Sequence, residues 1–251
     1  MIYGHFAKAY DSFMRDAPYD LWVQYIDDIL HGHITHANVK NDKILVVDIA
    51  SGTGNITIPL AQKGYDIIGV DASEHMLAKA REKADENNLN ILFLQQDMRK
   101  LDLFGTVDAA LCVCDGLNYI LTCDELLSVF KRVSMFLSPG GVFIFDMNTA
   151  YRFEFVSQGK TYTDSIDGAS YIWGNEYDKT SCINKYSVDF YFIGDGARYT
   201  ETHCQRAYPV QDVLNMLGQA GFSIIEIRDA YTSKPVSEKT WRVSFAANKN
   251  I

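Results

Sequence analysis

Apolar and polar positions along the chain fall into two regimes. Up to about residue 150, short apolar runs alternate with helical stripes. Residues 45–47, 91–94, 107–113 and 142–146 have the length and composition of strands buried in a parallel sheet. Leu21, Trp22, Tyr25, Ile26, Ile29 and Leu30 recur at helical spacing behind Pro18, which predicts a helix over residues 19–30. Ser73 is placed to cap an alanine-rich helix over 74–87. Leu126, Leu127, Phe130, Val133 and Phe136 mark the core face of another over 124–136, and the Ser138-Pro139-Gly140-Gly141 turn then precedes the fifth strand. Strands alternating with helices predict an α/β fold.

From residue 151 to 208 the pattern changes. The chain becomes rich in Tyr, Phe, Thr and Ser, and a period of two over 170–173, 185–193 and 199–205 predicts antiparallel strands. Gly194-Asp195-Gly196 is the expected hairpin turn between the last two. Such a segment is too long for an ordinary loop, so residues 151–206 are read as an inserted antiparallel β lid over a substrate site. Residues 1–150 and 207–251 form the core, with a helical cap over 1–40. Pro209 starts a closing helix that runs to about Ala220 and stops at Gly221, and residues 223–228 and 241–247 supply two final strands.

The chemistry concentrates at LVVDIASGTGNITIPLAQKGYDIIGVD, residues 45–71. Gly52 and Gly54 permit a tight turn with close ligand approach, and a helix from about Asn55 would point free N–H groups at the same place. Thr57 stands where a dinucleotide fingerprint needs its third glycine, which argues against a pyrophosphate. No Gly-Lys-Ser/Thr follows, so the phosphate loop of nucleotide hydrolases is absent as well. Asp48 lies in the turn. Asp71 ends the second strand, where a carboxylate can accept both hydrogen bonds of a ribose diol.

With VVDIASGTGN followed by IIGVDAS, the chain resembles the class I S-adenosylmethionine-dependent methyltransferases. The resemblance implies a Rossmann-like, seven-stranded, mostly parallel sheet with helices on both faces. It also implies S-adenosyl-L-methionine as cofactor and S-adenosyl-L-homocysteine as its product. The cofactor shell it implies comprises Tyr10, Tyr19, Trp22, Asp48, Ala50, Gly52, Gly54, Asn55, Asp71, Ala72, Met76, Gln96, Asp97, Met98, Cys114 and Asp115. In that shell Asp97 meets the adenine amino group, with the main chain of the next residue beside a ring nitrogen, and Met76 packs beside the ring. Tyr10, Tyr19 and Trp22 cover the methionine end, where aromatic faces suit a sulfonium, or else serve simply as core.

The stretch CDGLNYIL, residues 114–121, is very similar to a CDSLNYL stretch of small bacterial methyltransferases that share the N-terminal YD and PYDLW patterns. Asp115, Asn118 and Tyr119 are therefore candidate catalytic or substrate contacts, Asp115 being alternatively a cap before the next helix. In THCQRAY of the lid, His203 is a candidate base and Arg206 a candidate holder of a substrate carboxylate or phosphate, unless both face solvent. Amino-sugar N,N-dimethyltransferases and glycine N-methyltransferases resemble the chain in the cofactor core.

Composition narrows the function further. The 251 residues include 47% hydrophobic and 22% charged, as a globular domain would, and carry a net charge of −9. That balance disfavours nucleic acid as a partner, and the set of Gly52, Gly54, Asp71 and Asp97 with the aromatic lid makes a small molecule the expected substrate. Five irregularly spaced cysteines fit free thiols, Cys112 and Cys114 reading as strand packing rather than metal ligands. His31, His33 and His36 read as a solvated loop, so no metal is expected. With neither a signal peptide nor a membrane-length apolar run, a cytoplasmic location is expected. The function so read is methyl transfer to a nitrogen or oxygen of a small molecule by in-line displacement. A cofactor-sensing or partner-binding protein with the same pocket, a methyltransferase of RNA or protein, and a nicotinamide oxidoreductase are the alternatives. Sequence is silent on the oligomeric state.

Overall fold

The computed structural model describes residues 6–34, 43–166, 169–192 and 198–251. Its strands in chain order are β1 (Leu45–Ile49), β2 (Asp66–Asp71), β3 (Leu92–Gln95), β4 (Val107–Cys112), β5 (Leu137–Asn148), β6 (Thr161–Ile166), β7 (Ala169–Asp178), β8 (Ile183–Phe192), β9 (Arg198–Arg206), β10 (Phe222–Asp229) and β11 (Arg242–Lys249). The helices are α1 (Phe6–Phe13), α2 (Tyr19–His33), α3 (Thr57–Gln62), α4 (Glu74–Glu86), α5 (Cys123–Phe136) and α6 (Val210–Gln219).

Seven strands form one sheet in the order β10-β11-β5-β4-β1-β2-β3, and β6 to β9 form a second, antiparallel sheet. The first is parallel from β3 to β5, with β11 antiparallel to both β5 and β10. Neighbouring residues of a central strand serve opposite layers. Phe143 and Phe145 of β5 enter a cluster with Phe130 of α5 and Leu217 of α6, while Val142 and Ile144 join Val23, Ile26 and Leu30 of α2 and Leu60 of α3. Phe145 stacks on Phe245 of β11 with centroids 4.7 Å apart, and each such fully buried ring contributes about 2–3 kcal/mol. The Rossmann-like sheet with its inserted antiparallel lid is as expected.

Several details differ from the sequence reading. Helix α3 begins at Thr57 rather than Asn55 and has 6 residues, so residues 50–56 form a longer turn than expected. The segment 138–141 is a bulge inside β5, because Leu137 already pairs with Val107 before Val142 pairs with Ala109. Strand β6 was not expected: TYTDSI shows no apolar alternation, since Thr161, Tyr162, Thr163 and Ser165 are all exposed. A π-helical turn, Arg152–Ser157, links β5 to the lid. His31 and His33 occupy the last turn of α2 instead of a loop, His31 bonding Asp27 and the Tyr65 hydroxyl. His36 and the turn at Gly194-Asp195-Gly196 lie outside the described residues.

Candidate active site

The turn after β1 is built from left-handed residues, Ala50 (φ 58°), Gly52 (57°) and Gly54 (81°). Its two glycines do different things. A Cβ on Gly54 would press on Ile58 and Ala80 at 3.2 and 3.4 Å, whereas one on Gly52 would meet no protein atom within 4 Å. Gly54 therefore serves packing and Gly52 faces open space. That space is a cleft of about 310 Å³ whose walls include Tyr10, Tyr19, Asp48, Asn55 and Cys114.

Two carboxylates flank the turn. Asp71 accepts the Gly52 N–H at 2.9 Å and the Ser73 N–H at 2.7 Å, while burial raises its pKa against the pull of these amides. Asp48 is fully buried and accepts the Thr57 hydroxyl at 2.6 Å through one oxygen, its other oxygen having no partner. Burial pushes its pKa up to about 7, with Thr57 opposing and Asp71 adding to the shift.

Helix α1 is tied onto this turn. Asp11 accepts from the Thr53 hydroxyl at 2.6 Å and the Asn55 amide at 2.9 Å, and Lys83 of α4 reaches Asp11 at 2.9 Å and Asn55 at 2.6 Å. The clasp brings Tyr10 over the cleft beside Tyr19, whose pKa burial pushes up to about 12. Trp22 is placed differently. It packs edge-on against Tyr19 at 5.3 Å, on Tyr231 at 5.2 Å and beneath the Arg242 guanidinium at 5.4 Å, and is not itself a wall of the cleft.

The other implied cofactor contacts follow β2 and β3, the Asp71 carbonyl accepting the Gln96 N–H at 3.0 Å. Asp97 caps a short 3-10 turn through the Arg99 N–H and pairs with the Arg99 guanidinium at 2.5 Å, which holds its carboxyl below the usual range. Gln96 directs its side chain to the Asp102 backbone, and Met98 packs against the main core. The Ala72 carbonyl accepts from Gln95. Met76 is buried beneath the lid, against Ala7, Tyr186, Val188 and Phe190.

Beyond β4 the chain takes two consecutive left-handed residues, Cys114 (φ 60°) and Asp115 (54°). Their N–H groups both point at the Asp146 carboxylate at the end of β5, at 2.6 and 2.8 Å, which holds this uncommon conformation. Arg242 of β11 bridges Asp115 at 2.5 Å and Asp146 at 2.9 Å. Gln205 of the lid donates to the second Asp115 oxygen at 2.6 Å, and the Tyr231 hydroxyl donates to Asp146. Asp115 is thus no cap for α5; Thr122 does that. Asn118, fully buried, donates to the Asn148 and Arg206 carbonyls and accepts the Asn148 N–H at 2.9 Å.

The lid strands present alternate residues inward, and cross-strand partners share a face. Tyr186 pairs with His203 and Val188 with Glu201. The His203 ring stacks on Tyr186 at 4.7 Å, its Nδ1 lies 3.4 Å from the Tyr119 hydroxyl, and its Nε2 lies 3.6 Å from Glu201. The Tyr119 and Tyr186 hydroxyls bond each other. Arg206, three positions from His203, falls on the other face, where it donates to the Leu121 carbonyl at 2.9 Å and lies over the Tyr208 ring.

The structure therefore gathers Asp115, Tyr119 and His203 on the lid side, and Tyr10, Tyr19, Asp48, Ala50, Gly52, Asn55 and Cys114 on the cleft side. Sequence reasoning missed Asp11, Lys83, Asp146, Tyr186, Glu201, Gln205 and Arg242. Parity could have found Gln205, which shares the inward face with His203. Among the described residues no cluster of His, Cys, Asp or Glu could hold a metal, and no helix is long and apolar enough to cross a membrane.

Comparison with known proteins bears on this geometry. A family model described as a methyltransferase domain matches residues 46–141. The Bacillus subtilis protein YqeM, which bears a methyltransferase name, is 36% identical over 100% of this chain and 98% of its own. A solved S-adenosylmethionine-dependent methyltransferase from Clostridium acetobutylicum superposes with a TM-score of 0.87 at 30% identity, covering 99% of each chain. The sugar N-methyltransferase KedS8 of Streptoalloteichus shares the fold at 20% identity, with a TM-score of 0.78 over 96% of this chain and 93% of that one.

Proposed function

Because the chain belongs to the class I S-adenosylmethionine-dependent methyltransferases, we propose that its acceptor is a nitrogen or oxygen of a small molecule, methylated by in-line displacement. The observation that carries the small-molecule reading is the lid. Tyr186, Val188 and Phe190 close down on Met76 of α4 and Ala7 of α1, so the lid is packed shut against the core on that side, which favours a small acceptor over a polymer. The acidic balance of the chain points the same way.

The residues of the cleft fit the cofactor. The open side of Gly52 admits a ligand against the backbone, Asp71 is placed for a ribose diol, and the bare buried oxygen of Asp48 suits an ammonium. When bound, S-adenosylmethionine supplies an electrophilic methyl group on a sulfonium. The chain's own tasks are then to orient the acceptor, exclude water and remove a proton. The lid excludes water. For the proton, Tyr119 is the candidate acceptor, and the path runs through Tyr186 and His203 to Glu201. Asp115, held by Arg242 and Gln205, shapes the floor.

Calorimetry with S-adenosylhomocysteine tests the cofactor site, and acceptor panels of amines, carboxylates and phenols test the chemistry. Asp71→Ala should weaken cofactor binding at least about thirtyfold through loss of charge-assisted hydrogen bonds. Tyr119→Phe and His203→Asn should reduce turnover while leaving that affinity intact. Tight cofactor binding with no turnover of any acceptor would favour a sensing role instead.

A further inference from the structure

A second cationic side chain follows the end of β5, where Asn148 pairs with Arg242 and the Thr149 N–H donates to the Trp241 carbonyl at 3.0 Å. Arg152 opens the π-helical turn that leaves β5, a local geometry frequent at functional sites, and its N–H is fixed by the Thr149 hydroxyl at 3.2 Å. The side chain is half-buried, and its charge lies within electrostatic reach of Arg242, Asp115, Asp146 and Tyr162 of the lid. Both nearby carboxylates are already engaged. Asp115 is held by Arg242 at 2.5 Å and Gln205 at 2.6 Å. Asp146 is held by Arg242 at 2.9 Å, by two backbone N–H groups and by Tyr231. Among the described residues no carboxylate lies within ion-pair distance of Arg152.

An unpaired guanidinium in such a place is costly, and a second guanidinium nearby makes it more so. Burial, and then the Arg242 charge, lower the pKa of Arg152, the direction expected where a negative charge is missing. Arginine is also the side chain best shaped to hold a planar or tetrahedral oxyanion through two parallel hydrogen bonds. Arg152 is not among the walls of the cleft at the glycine turn, which include Tyr10, Tyr19, Asp48, Asn55 and Cys114.

We propose that Arg152 is the recognition point for an oxyanion on the acceptor, so that the methylated molecule is an acid carrying a carboxylate or phosphate. This rests on the methyltransferase reading above. It sharpens that reading by making negative charge a condition of acceptance. The acceptor then lies between Arg152, with the lid strand β6 at its side, and Tyr119, with the reacting nitrogen or oxygen toward the cleft.

The test uses the whole protein loaded with S-adenosylhomocysteine and titrates it with acetate and with inorganic phosphate at constant ionic strength, following tryptophan fluorescence. Wild type should saturate with at least one of the two, and which one separates a carboxylate acceptor from a phosphorylated one. Arg152→Gln should weaken that binding tenfold or more and Arg152→Lys less, with S-adenosylhomocysteine affinity within twofold of wild type. The Tm of Arg152→Gln should equal or exceed that of wild type, since the substitution removes an uncompensated charge. Failure of wild type to bind either anion would overturn the assignment. So would unchanged binding by Arg152→Gln, a tenfold loss of cofactor affinity, or a markedly lowered Tm. If S-adenosylhomocysteine itself does not bind, the same titration without it still reports on Arg152, which separates failure of the cofactor reading from failure of this one.

Discussion

Asp48 sits under the glycine turn with one oxygen bonded to Thr57 and the other bare, and its titration follows from that placement. Its pKa of about 7 in the folded chain lies above the ordinary carboxylate value near 4. Between those two values the folded state binds more protons than the unfolded one, so stability falls as pH rises from about 4 to about 7. Asp48→Asn should flatten that part of the profile, and melting curves for wild type and variant that run parallel from pH 4 to 8 would remove the claim. At this scale the sequence was most legible where partners are close in the chain. Asp71 and its Gly52 and Ser73 amides are only 19 and 2 residues apart in the chain. The partners of Asp115 lie 90 and 127 residues away, at Gln205 and Arg242, and no local pattern announces them. Asp97 is the reverse case: Arg99, two residues on, occupies the carboxylate that the family resemblance assigns to adenine, and that pairing was readable in the sequence.

Elements rather than residues decide how the cleft is covered. Helix α1 packs through Ala7 on the lid strand β8 and is held on the turn by the Asp11, Thr53, Asn55 and Lys83 network. The Lys83 to Asp11 pair is partly exposed, so it adds little to global stability; what it supplies is a cover already in place before a ligand arrives. Asp11→Ala should therefore lower S-adenosylhomocysteine affinity by about fivefold or more while shifting Tm by roughly 3 °C or less. Unchanged affinity would show the clasp to be irrelevant to binding. The core strands were readable because both of their faces are buried and their apolar runs are continuous. Strand β6 was not, since an exposed edge strand needs no apolar alternation and Thr161 to Ser165 show none. The division of the lid into an inward face with His203 and an outward one with Arg206 follows from period two alone, once the strand is known to run unbroken from Arg198 to Arg206.

Over the whole molecule, core and lid meet at Asn118. It holds the end of β5 through Asn148 and the end of β9 through the Arg206 carbonyl. Asn118→Ala leaves two carbonyls and one N–H without partners in a dry site, a loss of about 3 kcal/mol. For a chain of this size that corresponds to a Tm lower by roughly 6–12 °C by calorimetry, whereas a change under about 2 °C would show that the junction is held elsewhere. The sheet order carries one more consequence. Strand β11 follows every other strand in sequence yet lies inside the sheet, between β10 and β5. A chain emerging from the ribosome can pair β1, β2, β3 and β4 with β5 well before β11 is synthesised. Until then the flank of β5 stays open and the Asp115 and Asp146 carboxylates lack Arg242. The cluster of Asp115, Asp146 and Arg242, the proposed acceptor floor, is thus the last part of the sheet that vectorial synthesis can finish, and a nascent chain holds its sheltered glycine turn well before it holds that floor.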